Sequence, residues 1–241
     1  MKTVDVVLLH GWNLSKVTFA PLHDAFKNAG FRVHSLDFPG FGNEKAPDRP
    51  WHIVDYAEFL KRYFDTHHIQ KAVVVGHSFG GRVALKFSQL YPSSVSSLIL
   101  SGTPGLSPVL KRKMFFFFIL AKVGTFIFSI PPLTIFQDWA RRLLYYASGS
   151  REFFKAEGTM RQTFKNVVTD DLLVPMQSIM MPCLLLWGEF DLVVPLSIMY
   201  RMAEVIPNAK IKIISEADHG APFKSPEVFV SYVQAFLKDV S

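Results

Sequence analysis

The chain has one cysteine, Cys183, among 241 residues, so no intramolecular disulfide can form. A lone cysteine favours a reducing compartment, and the apolar run 183–187 around it predicts a buried thiol. Paired-cysteine spacings, a His-Glu-x-x-His helix and a Walker sequence are also absent. Gly40 and Gly42 begin like a dinucleotide fingerprint, but Lys45 stands where the third glycine belongs. We therefore expect no metal and no cofactor.

The N-terminus lacks the long apolar segment of a signal peptide. The apolar run after Lys2 is short, is interrupted by Asp5 and ends at His10-Gly11-Trp12, without a small-residue cleavage site. The sequence therefore predicts a cytoplasmic protein. Hydrophobic residues make up 49% of the chain and charged residues 19%, which excludes disorder as its main state.

Charge is scarce and unevenly distributed, with a net charge of +6. Residues 104–176 hold ten Lys or Arg against five Asp or Glu, together with ten of the 23 phenylalanines. Basic residues beside a phenylalanine-rich surface favour an acidic or amphipathic substrate, or an anionic membrane surface, over the reading of nucleic-acid bases. The alternative is a solvated rim around an apolar core. We expect a small-molecule partner and no nucleic acid.

Short apolar runs rich in β-branched residues alternate with longer segments of helical spacing, which is typical of a parallel sheet wrapped by helices. The predicted strands are Val4–Leu9, Arg32–Leu36, Ala72–Gly76, Val95–Ser101, Cys183–Trp187 and Lys210–Ile214. The predicted helices are Thr18–Ala29, Val54–Thr66, Gly80–Tyr91, Leu196–Ile206 and Pro226–Lys238. The fold class is therefore α/β, with a mostly parallel sheet of about six strands.

The alternation stops in residues 104–176, which have helical patterning and no convincing strand. Within them, the run from Met114 to Phe136 is nearly all apolar and approaches the length of a membrane span, with Lys122 as its only charge. That lysine, Gly124 and the pair Pro131-Pro132 argue against one continuous span. We predict a helical cap at 104–176 on a core domain of residues 1–103 and 177–241. Contact of this cap with a membrane surface stays open as an alternative.

A β-branched strand pattern runs directly into Gly76-His77-Ser78-Phe79-Gly80, which is followed by helical spacing. In a nucleophile elbow of this form the serine lies on a sharp turn with its hydroxyl exposed, and the flanking glycines relieve the crowding. The pattern predicts Ser78 as a catalytic nucleophile.

A serine nucleophile needs a base, and the base needs a carboxylate that fixes its tautomer. His219 follows a predicted strand and precedes Gly220, where a loop can turn inward. Asp191 follows the strand Cys183–Trp187 and is expected at the carboxyl edge of the sheet. Glu189 and Asp218 are nearby competitors, which we interpret as surface or loop-capping carboxylates.

Four motifs resemble those of the α/β-hydrolase superfamily, in the family's order, and more narrowly its serine esterases and lipases with a helical cap. They are Leu8-Leu9-His10-Gly11-Trp12, Asp37-Phe38-Pro39-Gly40-Phe41-Gly42, Gly76 to Gly81, and Trp187 to Asp191 followed by Ala217 to Gly220. The resemblance implies that the backbone N–H groups of Trp12 and Phe79 form the oxyanion hole, and that both side chains wall the acyl pocket. It gives structural roles to His10, His77 and Asp37.

The chain departs from the family at its start, since most members have a two-stranded hairpin before the His-Gly strand. We expect a sheet without this hairpin, whose exposed edge strand favours dimerisation or lowers stability. A monomer and a homodimer both stay open.

The resemblance and the serine nucleophile predict a carboxylic-ester hydrolase that acts through an acyl-enzyme on short-to-medium acyl or aryl esters. A carbon–carbon bond hydrolase of ring-cleavage products would use the same residues. A lactonase or a monoacylglycerol lipase would differ only in the pocket. A non-catalytic ligand receptor is the alternative from another class.

Overall fold

The computed structural model describes residues 4–106 and 157–240. Within these residues a single sheet has six strands in the order β2-β1-β3-β4-β5-β6, and every neighbouring pair is parallel. The strands are β1 (Asp5–Leu9), β2 (Arg32–Ser35), β3 (Ala72–His77), β4 (Val95–Ser101), β5 (Cys183–Gly188) and β6 (Lys210–Ile214). The predicted α/β class and the six strands are confirmed, with strand ends displaced by no more than one residue.

Eight helices of the described residues cover the sheet, with a short 3₁₀ turn at Pro92–Ser94 before β4. They are α1 (Ala20–Asn28), α2 (Ile53–Thr66), α3 (Phe79–Leu90), α4 (Gly158–Thr169), α5 (Leu173–Gln177), α6 (Leu196–Val205), α7 (Ala221–Lys224) and α8 (Pro226–Asp239). The four-residue helix α7 was not predicted, because so short a segment carries no hydrophobic period. In the part of the chain that the structure describes, no helix is both long enough and apolar enough to cross a membrane.

The central strands are buried on both faces, which explains their continuous apolar sequences. Side chains alternate between two apolar clusters, so that Val7 and Val74 belong to the cluster on one face, and Val6 and Val73 to the cluster on the other. The first cluster is covered by α2, α3 and α6, and the second by α1 and α8. This double cover holds the sheet rigid and leaves the loops at the carboxyl ends of its strands to form a site.

The described end of the predicted cap packs on the loops that follow β2. Thr163 of α4 accepts the N–H of Trp51 at 3.0 Å, and Asn166 donates to the Trp51 carbonyl at 3.2 Å. The predicted boundary at residue 176 falls inside α5. The expectations for 114–136, including Lys122, Gly124 and Pro131-Pro132, lie outside the described residues.

Arg82 of α3 binds the backbone near both ends of the predicted cap. Its guanidinium is almost fully buried and donates to the carbonyl of Pro104 and, at 2.6 Å, to the carbonyl of Asp170. Burial lowers the pKa of Arg82 to about 10, so the group stays charged at neutral pH. Two backbone segments that are 66 residues apart in sequence are thereby held on one helix.

Candidate active site

Ser78 lies on the turn between β3 and α3 with φ 52° and ψ −115°. This left-handed conformation is strained for a residue with a side chain and is found mostly where function requires it. The turn is close-packed, because a Cβ on Gly76 would lie 2.6 Å from the Gly81 Cα, and one on Gly80 would overlap the carbonyl of Leu9. Larger residues at either glycine would push the turn apart.

Hydrogen bonds hold this turn from both sides. The Ser78 N–H donates to the carbonyl of Ser101, at the end of β4, at 2.8 Å. The Ser78 carbonyl accepts the N–H groups of Gly81 and Arg82 at 3.1 and 3.3 Å, which begins α3. The backbone of Ser78 is therefore fixed by the neighbouring strand and by its own helix.

The loop after β1 lies directly against Ser78, because a Cβ on Gly11 would be 3.4 Å from the Ser78 Cβ. His10 braces this loop: its Nδ1 donates to the Gly11 carbonyl at 2.8 Å and its Nε2 accepts the Phe38 N–H at 3.0 Å. Burial lowers the pKa of His10, which keeps the ring neutral and able to accept that bond.

The turn that follows β2 is tied by Asp37. One carboxylate oxygen accepts the N–H of Lys16 at 2.7 Å, and the other accepts the N–H of Asn43 at 3.2 Å. The loop after β1 and the turn after β2 are thus cross-linked to each other.

Aromatic rings surround Trp12 in the loop after β1. The indole meets Phe41, Phe79 and Phe164 in edge-to-face contacts, with ring centroids 4.7, 5.3 and 5.0 Å away. Phe164 belongs to α4, so the described end of the insertion touches the residue that follows His10-Gly11. The three contacts hold the Trp12 ring in an apolar cluster that includes Phe79, the residue after Ser78.

Asp191 and His219, which are 28 residues apart in sequence, meet at the carboxyl edge of the sheet. The Asp191 Oδ2 lies 2.8 Å from the His219 Nδ1, and Oδ1 accepts the N–H groups of Val193 and Val194 at 2.9 and 2.8 Å. The Asp191 side chain is 1% exposed and that of His219 is 21% exposed. The carboxylate is therefore held by fixed donors, and its second oxygen accepts from His219.

Gly102 is a residue of this site that the sequence analysis missed. Its φ is +54°, and a Cβ there would lie 2.7 Å from both Cε1 and Nδ1 of His219 and 3.1 Å from the Asp191 Oδ2. A glycine is required both by the backbone and by the neighbouring ring. No local pattern marks Gly102, because its need for a glycine arises from His219, 117 residues later in the chain.

The competing carboxylates are occupied elsewhere. Glu189 is exposed and accepts from the Ser215 hydroxyl and the Glu216 N–H, and these two bonds lower its pKa. Asp218 accepts from the Gly220 N–H and pairs with Lys224, which lowers its pKa. Both stabilise loops, as the sequence analysis interpreted them.

The strained serine, the loop packed against it, and the histidine bonded to a buried carboxylate lie at the same edge of the sheet. The ring of His77, the residue before Ser78, is 4.6 Å from the ring of His219, centroid to centroid. Over residues 4–106 and 157–240, no group of three or more His, Cys, Asp or Glu side chains could hold a metal ion. Cys183 is buried, which raises the pKa of its thiol to about 12, so it is not a thiolate at neutral pH.

The chain resembles hydrolases over nearly its whole length. It is 29% identical to a 2-hydroxy-6-oxononadienedioate/2-hydroxy-6-oxononatrienedioate hydrolase of Burkholderia vietnamiensis, over 97% of this chain and 86% of the relative. It is 25% identical to a pimeloyl-[acyl-carrier protein] methyl ester esterase of Shewanella woodyi, over 92% of this chain and 88% of the relative.

Solved structures have the same fold. An esterase from Exiguobacterium antarcticum superposes with a TM-score of 0.74 at 21% identity, over 98% of this chain and 92% of the esterase. The family model of the alpha/beta hydrolase fold matches residues 6–226. The chain therefore belongs to the α/β-hydrolase family.

Proposed function

We propose that the chain is a serine hydrolase of carboxylic esters, with Ser78 as nucleophile, His219 as general base and Asp191 as the carboxylate that orients the base. The observation that carries the proposal is the 2.8 Å contact between Asp191 and His219, next to a serine in the left-handed conformation. A buried carboxylate on Nδ1 leaves Nε2 of His219 to take a proton from a serine hydroxyl.

In the proposed reaction, the Ser78 hydroxyl attacks the ester carbonyl while His219 takes its proton. Collapse of the tetrahedral intermediate releases the alcohol, which receives the proton from His219, and leaves an acyl group on Ser78. His219 then takes a proton from water as the water oxygen attacks the acyl carbonyl. The second tetrahedral intermediate collapses to the free acid, and His219 returns the proton to the departing Ser78 oxygen, which regenerates the enzyme. Asp191 stays ionised throughout and stabilises the imidazolium.

The proposed oxyanion hole consists of the backbone N–H groups of Trp12 and Phe79. Phe79 is the first residue of α3, where N–H groups have no partner within the helix and the helix dipole favours negative charge. The close packing of this loop supports the proposal, because a Cβ on Gly11 would lie 3.4 Å from the Ser78 Cβ, and Trp12 is the next residue of the loop. Each donor of this kind is worth about 3 kcal/mol of transition-state stabilisation in enzymes where one was removed.

We infer an apolar acyl or aryl group in the substrate, because the half-buried rings of Trp12 and Phe164 contact each other, and Trp12 contacts Phe79, the residue after Ser78. We also propose that residues 104–176 form a cap, since its described helix α4 supplies Phe164 to this aromatic cluster. An apolar wall binds such groups by removing them from water.

Carbon–carbon bond hydrolysis is the second candidate function. The relatives named as hydrolases of 2-hydroxy-6-oxononadienedioate and of 2-hydroxymuconate semialdehyde are 29% and 27% identical to this chain, and the methyl ester esterase is 25% identical. The same three residues would serve both reactions. A lactonase and a monoacylglycerol lipase also stay compatible with this site.

The test is hydrolysis of p-nitrophenyl esters from acetate to palmitate, with Ser78→Ala as the blank, alongside a vinylogous diketo acid. Turnover of esters that depends on Ser78 supports the first proposal, and the best chain length measures the acyl pocket. Turnover of the diketo acid with little on any ester supports carbon–carbon cleavage. Substantial ester turnover by purified Ser78→Ala would remove Ser78 from its role. A folded wild-type protein without turnover of either class contradicts both proposals.

A further inference from the structure

His77, the last residue of β3, takes no part in the proposed reaction, yet it contacts the proposed base. The period of the strand turns His77, like Val73 and Val75, toward the face that α1 and α8 cover. Its ring is 1% exposed and lies 4.6 Å from the ring of His219, centroid to centroid, at a tilt of 49°. The ring of Phe223 from α7 lies 5.9 Å away.

One carbonyl connects His77 to the turn at Ser78. The Ser101 carbonyl lies 3.2 Å from the His77 Nδ1 and also accepts the Ser78 N–H at 2.8 Å. A carbonyl only accepts hydrogen bonds, so Nδ1 of His77 bears the proton. The Ser101 carbonyl oxygen therefore binds both the His77 ring, which contacts His219, and the backbone of Ser78.

His77 stays neutral in this environment. Burial, and then the neighbouring His219, hold the pKa of His77 well below its ordinary value, and His10 acts in the same direction. The other charged groups at this place face His219 instead: Asp191 binds its Nδ1, and Asp218 beside it pairs with Lys224. His77 therefore does not compete for the proton that His219 would take.

We propose that His77 is a positioning residue, whose flat neutral ring supports the imidazole of His219 and keeps water from the ring face that it contacts. The inference rests on the proposed function, because support of His219 matters only if that ring moves a proton. A base that is held in one orientation spends a smaller fraction of time in unproductive rotamers. A displacement of a catalytic group by about 1 Å can lower the rate about 100-fold.

Two substitutions separate the ring from its hydrogen bond. His77→Phe keeps a flat ring and removes the donor to Ser101. His77→Asn keeps a nitrogen donor at the position of Nδ1 and removes the ring. His67→Asn is the matched control, since His67 is an exposed histidine at the end of α2 whose ring stacks on Tyr63.

We expect kcat to fall about 10- to 100-fold in His77→Asn and less than about threefold in His77→Phe, with KM within about twofold in both. Water under the ring stabilises the imidazolium, so the acidic limb of kcat/KM moves to higher pH in His77→Asn only. An unchanged kcat in His77→Asn, or equal losses in both variants, overturns the proposal. If His77→Asn fails to fold, His77→Leu replaces it, because leucine also lacks a flat ring.

NMR spectra of the His219 ring test the same inference without a substrate. The ring signals of His219 should broaden in His77→Asn, because the unsupported ring samples more rotamers, and should stay sharp in His77→Phe and His67→Asn. Equally sharp signals in His77→Asn contradict the support of the ring. If the proposed reaction is wrong, wild-type protein shows no Ser78-dependent turnover while these spectra still respond, so the two failures are distinguishable.

Discussion

The two ends of the parallel strands hold ionisable groups in opposite ways. At the carboxyl ends, the Asp191 side chain is 1% exposed and is bound by two backbone N–H groups and His219. At the amino ends of β1 and β2, Asp5 binds Arg32, whose side chain is 61% exposed, and His34. The bond to Arg32, and then that to His34, lower the pKa of Asp5 against the effect of its burial.

The two carboxylates differ in whether water can replace their hydrogen-bond partners. An exposed arginine can exchange its carboxylate for water at little cost, whereas a buried carboxylate with fixed backbone donors has one orientation. Substitutions at the carboxyl ends should therefore change rate strongly, and substitutions at the amino ends should change very little.

Asp191→Asn is expected to have the largest effect. The amide cannot fix the histidine tautomer as the carboxylate does, so kcat should fall about 10⁴-fold while KM changes little. Steady-state kinetics on the best p-nitrophenyl ester measures this. Glu189→Gln is the control and should keep wild-type kcat, because Glu189 binds only Ser215 and Glu216 among the described contacts. A larger loss in Glu189→Gln than in Asp191→Asn would mean that the acid is misassigned.

Gly102→Ala should lower kcat about 100-fold, because the new methyl group displaces the His219 ring. Gly158→Ala is a matched control: Gly158 has φ +52° against +54° for Gly102, and a Cβ there meets nothing within 4 Å. Both variants should lose about 1 kcal/mol of stability from the left-handed backbone. Kinetics together with thermal unfolding separates the two effects, and equal kcat in the two variants would disprove the contact with His219.

Stability should fall on acidification from pH 7 to pH 5.5. The pKa values of His10 and His77 are lowered in the folded state, so below pH 6.5 the unfolded chain binds more protons than the native one. A histidine that stays neutral over this range contributes a loss of about 1 kcal/mol, measured by urea unfolding, and His77 should contribute more than His10 because its pKa is lowered further. His77→Phe should therefore reduce this loss, and His67→Asn should leave it unchanged. The ion pair of Asp5 is lost only at lower pH, since its pKa is lowered from 3.8.

Arg32→Met should have the smallest effect and so completes the comparison. It removes the bond to Asp5 but leaves His34 in contact with that carboxylate. We expect unchanged kcat/KM and a Tm within about 2 °C of wild type. A loss of activity in this variant would mean that the amino ends of the strands communicate with the site.

Much of the fold could be predicted because the strands are buried on both faces. Apolar β-branched runs such as 72–76 and 183–187 have few other stable arrangements. Candidate site residues could be named for the same reason, since Ser78 directly follows β3 and Asp191 lies in the turn after β5. The roles of Gly102 and of the His77 ring could not be predicted from local patterns. Each depends on the position of His219, which lies in the loop after β6 and packs back against the ends of β3 and β4.

The sequence by itself determined the α/β class, the six strands and the order of the hydrolase motifs, because these depend on local hydrophobic period and turn chemistry. Only the tertiary structure decided which carboxylate meets His219, which glycine makes room for its ring, and that His77 lies beneath it. These are contacts between residues 24 to 142 positions apart, such as Ser101 with His77 and His219 with His77, which no local pattern encodes. Packing of the loops at one end of the sheet brought them together.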